Sequence, residues 1–208
     1  MAEVINNKEG KPLEYYAAKY RGTDPLEIAA RTALPYDETR RVFTLTLMNS
    51  VYEVTYPEFS VRFLRGEGDR LSGYPVGQIL ILRFLTGGQF VRGSGQFLSY
   101  RDMPWGDVYF ANFTNRCIRR LAFSFAGKEE AVARRMAALG GTPYEKGDIG
   151  WEFPFMPGLL IRISIWDADE EFPPSAQILF SDNFQYAFDA DDMAYTGDIF
   201  IKILSAVS

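Results

Sequence analysis

Ile163-Ser-Ile-Trp-Asp-Ala-Asp-Glu-Glu-Phe-Pro-Pro-Ser-Ala-Gln-Ile-Leu-Phe180 is the stretch whose reading decides the fold of this chain. An apolar run gives way to a carboxylate-rich loop stiffened by Pro173-Pro174, and an apolar run then resumes, the pattern of two strands joined by a loop. Upstream, residues 150–155 and 159–166 read as strands separated by the turn Pro157-Gly158. Downstream, residues 176–180 read as a strand, and Asp189 reads as the N-cap of a last helix over residues 190–204. Between Arg162 and Lys202 there is no Lys or Arg, while Asp167, Asp169, Glu170, Glu171, Asp182, Asp189, Asp191, Asp192 and Asp198 supply carboxylates. The formal net charge of -5 is therefore concentrated in one segment.

The chain before this stretch is richer in helix. Leu13, Tyr16, Ala17 and Tyr20 recur at helical spacing and predict a helix over residues 13–21, with Gly22 as its stop. Asp24-Pro25-Leu26-Glu27 supplies an N-cap, a proline at the first helical position and a Glu three residues after the cap, and Pro35 ends that second helix. From Arg41 the period becomes two: Phe43, Leu45 and Leu47, then Tyr52, Val54 and Tyr56, predict a hairpin turning at Asn49-Ser50, with a third strand around Phe59, Val61 and Phe63. Pro75 opens a helix ended by Gly87-Gly88; residues 89–95 read as a flexible connection, and Gly93-Ser94-Gly95 fails the spacing of phosphate loops. Residues 97–101 read as extended and Met103-Pro104-Trp105-Gly106 as a turn. Helices are predicted over 108–125, with Tyr109, Phe113, Cys117, Leu121 and Phe125 on an apolar stripe, and over 129–139, closed by Gly140-Gly141. Helices and strands segregate, which predicts an α+β class: a single domain over residues 13–208 with a mainly antiparallel mixed sheet packed against several helices, preceded by a flexible stretch at residues 1–12.

Composition removes whole classes of chemistry. The chain has no histidine, which excludes Ser-His-Asp and Cys-His nucleophilic sites and imidazole ligation of a metal. One cysteine, Cys117, excludes an internal disulfide and, with no histidine, leaves no ligand set for zinc. A sequence pI near 4.9 with scattered arginines predicts no nucleic-acid partner. Residues 1–11 are polar and carry no signal-peptide core, and the longest apolar run, residues 79–82, is too short for a bilayer, so the expected location is cytoplasmic and no membrane partner is expected.

Two groups of residues are candidates for function, and neither supplies an assignable catalytic residue. Asp167, Asp169 and Glu171 alternate at the end of an apolar strand, so they can face one hard divalent cation; the same carboxylates can instead cap backbone amides or pair with Arg116, Arg119, Arg120 or Arg162. Trp151 and Trp166 are expected on one wall of a ligand pocket between the last sheet and the 108–125 helix, with Arg116 and Arg119 on the other. Cys117, on an apolar stripe with no histidine to activate it, reads as a buried hydrophobe. The expected function is non-enzymatic binding of a small molecule or a protein partner; the alternative is a divalent-metal-dependent enzyme built on Asp167–Glu171, and a third reading makes the acidic segment a subunit interface.

Asp167-Ala-Asp-Glu-Glu-Phe-Pro-Pro-Ser-Ala-Gln-Ile-Leu-Phe180, followed by Asp191-Asp192 and Gly197-Asp198, resembles the prokaryotic family catalogued as domain of unknown function 3786. Leu98-Ser-Tyr-Arg-Asp-Met-Pro104, Leu139-Gly-Gly141 with Gly147-Asp148, and Asp24-Pro25-Leu26-Glu27-Ile28-Ala29 support it, over roughly residues 13–204. The resemblance implies a soluble domain of anaerobic prokaryotes in an accessory role, and it supplies no activity. Some members carry a cysteine-rich iron-sulfur domain; with one cysteine, no iron-sulfur cluster is expected here.

Overall fold

A computed structural model describes residues 10–206. Of the stretch expected to be flexible, residues 1–9 lie outside the described residues, and Gly10, Lys11 and Pro12 open the first helix. Chain contacts divide into two compact units, one comprising the residues up to Leu45 with Ser50–Phe90, the other Thr46–Asn49 with Val91–Ser208.

The first unit holds α1 (Gly10–Arg21), α2 (Pro25–Thr32), the strands β1 (Tyr36–Asp37), β2 (Val42–Leu47, whose last two residues belong to the second unit), β3 (Ser50–Thr55) and β4 (Val61–Arg65) in that sheet order, and α3 (Pro75–Gly87). Asp24 caps α2 as its sequence demands, accepting the Leu26 N–H at 2.9 Å. The last carbonyls of α3 are satisfied by a side chain: the Arg31 guanidinium donates to Leu85 O at 2.7 Å and to Gly88 O. β2 turns into β3 through Met48-Asn49, both left-handed (φ 45° and 60°), the two-residue turn whose twist matches a hairpin. The turn therefore sits one residue earlier than expected, because Met48 reads as a strand hydrophobe. Glu53, in the middle of β3, is buried and held by Arg40 and Arg62.

The second unit is built on β5 (Phe97–Ser99), β6 (Thr142–Pro143), β7 (Ile149–Met156), β8 (Leu159–Trp166) and β9 (Ser175–Ser181), in the order β5-β9-β8-β7-β6 with every pair antiparallel. Its helices are α4 (Gly106–Phe113), α5 (Arg119–Phe125), α6 (Glu129–Ala138), α7 (Phe184–Ala187) and α8 (Ala190–Ser205). Alternation along β8 sends Ile161, Ile163 and Ile165 to one fully buried face. The aromatic contacts Phe113–Phe180, Phe153–Phe200 and Phe155–Phe184, with centroids 5.5–6.2 Å apart, bind helices to that face. The α+β class holds, and the single mixed sheet expected from sequence resolves into two antiparallel sheets. Period-two patterning marks a strand and its faces but not its partner: β5 pairs with β9, eighty or more residues on.

The helix predicted over 108–125 runs as α4, a π-turn at Thr114–Ile118, and α5. Residues four apart drift by about 40° per step on a regular α-helix, so a strict fourth-position stripe would rotate out of the core. The widened turn takes the drift back, and Phe113, Cys117, Leu121 and Phe125 are all buried. Tyr109, one regular turn before them, falls outside the stripe and is half exposed.

Candidate functional site

The face of the second unit's sheet opposite the helices carries Leu160, Arg162, Ser164 and Trp166 from β8 with Gln177 and Leu179 from β9, all half-buried except the buried Ser164. At its centre stands a fixed cation. The Arg162 guanidinium carbon lies 3.7 Å from the ring centroid of Phe97 and 4.7 Å from that of Tyr144, and its Nε donates to Glu152 Oε2 at 2.7 Å. Two rings and a carboxylate thus set the plane of the guanidinium, and its two terminal nitrogens have no acceptor among the described residues.

The segment between β6 and β7 brings Tyr144 and Lys146 onto this face, and its path depends on glycine. The Tyr144 N–H donates to Gly150 O at 2.9 Å, and a Cβ at Gly150 would lie 1.9 Å from Tyr144 O and 2.6 Å from Lys146 O. Lys146 Nζ donates to Gln177 Oε1 at 2.8 Å. Gln177 is in register with Ser164, one inward-outward repeat from Arg162, so a second cation lies between Arg162 and Trp166. The strip therefore reads clamped guanidinium, ammonium, indole, over about 13 Å of strand.

The residues expected to line a pocket are dispersed. Trp166 is on this open face. Trp151 is in register with Ile163 and so points to the helix side, where its ring closes on Gly141; the two indoles do not share a wall. Arg116 is bound to Asp198 and lies over the Tyr195 ring, 4.4 Å from its centroid, and Arg120 reaches the same carboxylate at 3.4 Å. Pairing of these arginines with the acidic segment is thus realised through α8. Arg119 is exposed. A cavity of about 310 Å³ opens elsewhere, between Ser124–Lys128, Ala131, Val132 and the end of α8 at Leu204 and Ser205, and none of the four expected residues lines it.

The acidic loop is used as an amide acceptor. Asp167 Oδ1 accepts the Gly127 N–H at 2.7 Å, and its own N–H donates to Asp148 Oδ2 at 2.8 Å. Asp169 Oδ1 accepts the N–H groups of Glu171 and Phe172 at 2.8 and 2.7 Å, a local turn closed by the Asp169 N–H on Phe172 O. Glu171 is exposed. Among the described residues no three acidic or cysteine side chains are grouped so as to hold a metal ion. Cys117 is fully buried, its thiol donates to Ala194 O at 3.6 Å, and burial pushes its pKa up to about 12. Residues 89–95, expected to be a flexible connection, are fastened at several points: the Phe90 N–H donates to Arg31 O at 2.9 Å, Ser94 N–H and Oγ donate to the Asp182 carboxylate, and Asn183 Nδ2 donates to Val91 O and Gly158 O at 2.8 Å each.

Sequence reasoning missed the Arg162 clamp. Phe97, Glu152 and Arg162 come from three strands and Tyr144 from the segment between β6 and β7, and the accessible signal was Arg162 itself, the one charged residue, at an outward position, of a largely apolar strand. No helix among the described residues is long and apolar enough to cross a membrane. No curated protein and no solved structure matches the chain. The model of one family, described as a domain of unknown function (DUF3786), matches residues 24–203, and the chain belongs to that family.

Proposed function

We propose that the second unit is a binding module that takes a small anionic molecule, a carboxylate or phosphate carried on a flat skeleton, on the open face of its sheet. The observation that carries this reading is Arg162: a guanidinium already oriented by Phe97, Tyr144 and Glu152, with its terminal N–H fork unclaimed, is prepared for bidentate contact with an oxyanion at little entropic cost. Lys146 adds charge beside it, and Trp166 and Tyr144 offer flat apolar surface. Binding rather than catalysis fits a chain without histidine and with its one thiol buried and protonated.

Isothermal titration at low ionic strength with inorganic phosphate and with benzoate tests it. The wild type is expected to bind at least one of the two saturably, and Arg162→Gln to bind it at least tenfold more weakly while melting as a folded protein, since hydrogen bonds to charged groups contribute about 1.5–3 kcal/mol. Absence of saturable heat in the wild type, or equal affinity in the variant, would remove the proposal.

A further inference from the structure

We propose that the exposed side of α4, the π-turn and α5 is the contact of a symmetric homodimer, in which two copies pair these helices antiparallel. The inference is independent of the anion site.

The side chains on that stripe have no role in the core beneath them. Trp105 is 76% exposed, Val108 69%, Tyr109 49% and Phe123 65%, while Phe113, Cys117, Leu121 and Phe125 of the same helix fill the interior. Trp105, Val108, Tyr109 and Asn112 follow helical spacing on one face, and with the π-turn the stripe continues past Arg116 to Arg119 and Phe123. Trp105 is also held in the left-handed backbone region (φ 64°), an uncommon conformation for a bulky residue, and it presents the indole outward at the start of α4.

The chemistry of the stripe selects its partner. Trp105 and Phe123 lie equally far from Thr114, nine residues to either side. The N-terminal end carries Arg101, Asp102 and Asp107, with Arg101 3.3 Å from Asp107, and the C-terminal end carries Arg119 and Arg120, of which Arg120 also reaches Asp198. An antiparallel pair about a twofold axis near Thr114 sets Trp105 of one copy on Phe123 of the other. It brings Asp107 within a turn of the other copy's Arg119, and it opposes the helix dipoles. A parallel pair would set the Arg119-Arg120 ends of the two copies against each other and leave Asp107 with no basic partner but its own Arg101. Exposure of the three rings leaves on the order of 400 Å² of aromatic surface per copy to bury, about half of a standard interface side, with the flanking polar side chains making up the rest.

Sedimentation velocity of the full chain, from low micromolar to about 100 μM, is the test. A reversible dimer is expected, weaker in high salt because Asp107 and Arg119 are exposed. Trp105→Ser and, separately, Arg119→Asp are expected to weaken it at least tenfold while circular dichroism stays unchanged. Combining Asp107→Arg with Arg119→Asp is expected to restore it, because only an antiparallel symmetric contact places those two positions opposite each other. A monomer at every concentration overturns the proposal, as does a dimer indifferent to Trp105→Ser and Arg119→Asp or one that the charge swap fails to restore.

Discussion

Gly197 offers a perturbation whose sign can be worked from geometry. It is buried in the interior of α8, and a Cβ there would lie 2.6 Å from Cys117 Sγ and 3.3 Å from Cys117 Cβ. Two effects oppose each other in Gly197→Ala. Alanine gains about 1 kcal/mol over glycine in a helix interior. Forcing a methyl against the thiol across a packed helix pair costs about 1–3 kcal/mol. The substitution is therefore expected to destabilise the wild type by about 0–2 kcal/mol, the difference of those terms. Cys117→Ala removes Sγ and leaves the 3.3 Å approach to Cβ and one of 3.4 Å to Phe113 Cε2, which a shift of a few tenths of an ångström relieves. In that background Gly197→Ala is expected to stabilise by up to about 1 kcal/mol, so the cycle couples by about 1–3 kcal/mol. Urea unfolding of the four proteins at pH 7, followed by circular dichroism with a common m value, reads this directly. If Gly197→Ala has the same sign in both backgrounds, close packing on Cys117 is not what demands glycine at this position.

Further outcomes concern titration. The Cys117 thiol has its pKa raised by burial to about 12, against about 8.5 in an unfolded chain, so its contribution is complete below the unfolded value and is lost as pH rises towards the folded one. Stability is expected to fall by up to about 1.4 kcal/mol per pH unit above pH 9 relative to Cys117→Ala, and a thiol reagent at pH 8 should label the protein only as it unfolds; rapid labelling of the native chain would contradict the burial. Glu53 is held below the usual carboxylate range by the Arg62 guanidinium and then, against the cost of burial, by Arg40. Its contribution is present above the ordinary carboxylate pKa and is lost as pH falls through the depressed one, so Glu53→Gln should be less stable than the wild type at pH 7, with the difference shrinking in acid; a constant difference across that range would exclude the ion pairs as its source.

What was legible in the sequence was local. Asp24-Pro25 announces α2 because a cap and a fixed φ act within one turn, and alternation announces β2, β3, β7 and β8 because burial of one face is repeated at every second residue. The buried state of Cys117 was legible for the same reason. The stripe it belongs to, however, stays inside only through a π-turn that residue spacing alone does not reveal. Contacts that join distant segments were not legible. Asp182 fastening Ser94 and β9 pairing with β5 both span eighty residues or more, and for Arg116 only pairing with the acidic segment was legible, not that Asp198 would be the partner.

The misplacement of Trp151 and Trp166 shows what kind of error this produces. Both are aromatic, both lie on strands and both are half-buried, so composition makes them alike; parity in the register makes them opposites, one against the helices and one on the open face. A single-residue difference in phase thus decides whether an indole belongs to the core or to a surface where a ligand can reach it. Arg162 shares its parity with Trp166, and its neighbours Phe97, Tyr144 and Glu152 become neighbours only when three further segments of the chain close on it. A site assembled in this way leaves no short motif. The motif that does stand out, the acidic loop, is conspicuous because its carboxylates are adjacent in the chain, yet they serve separate contacts: Asp169 closes its own turn, and Asp167 ties the end of β8 to Gly127, forty residues earlier at the head of α6.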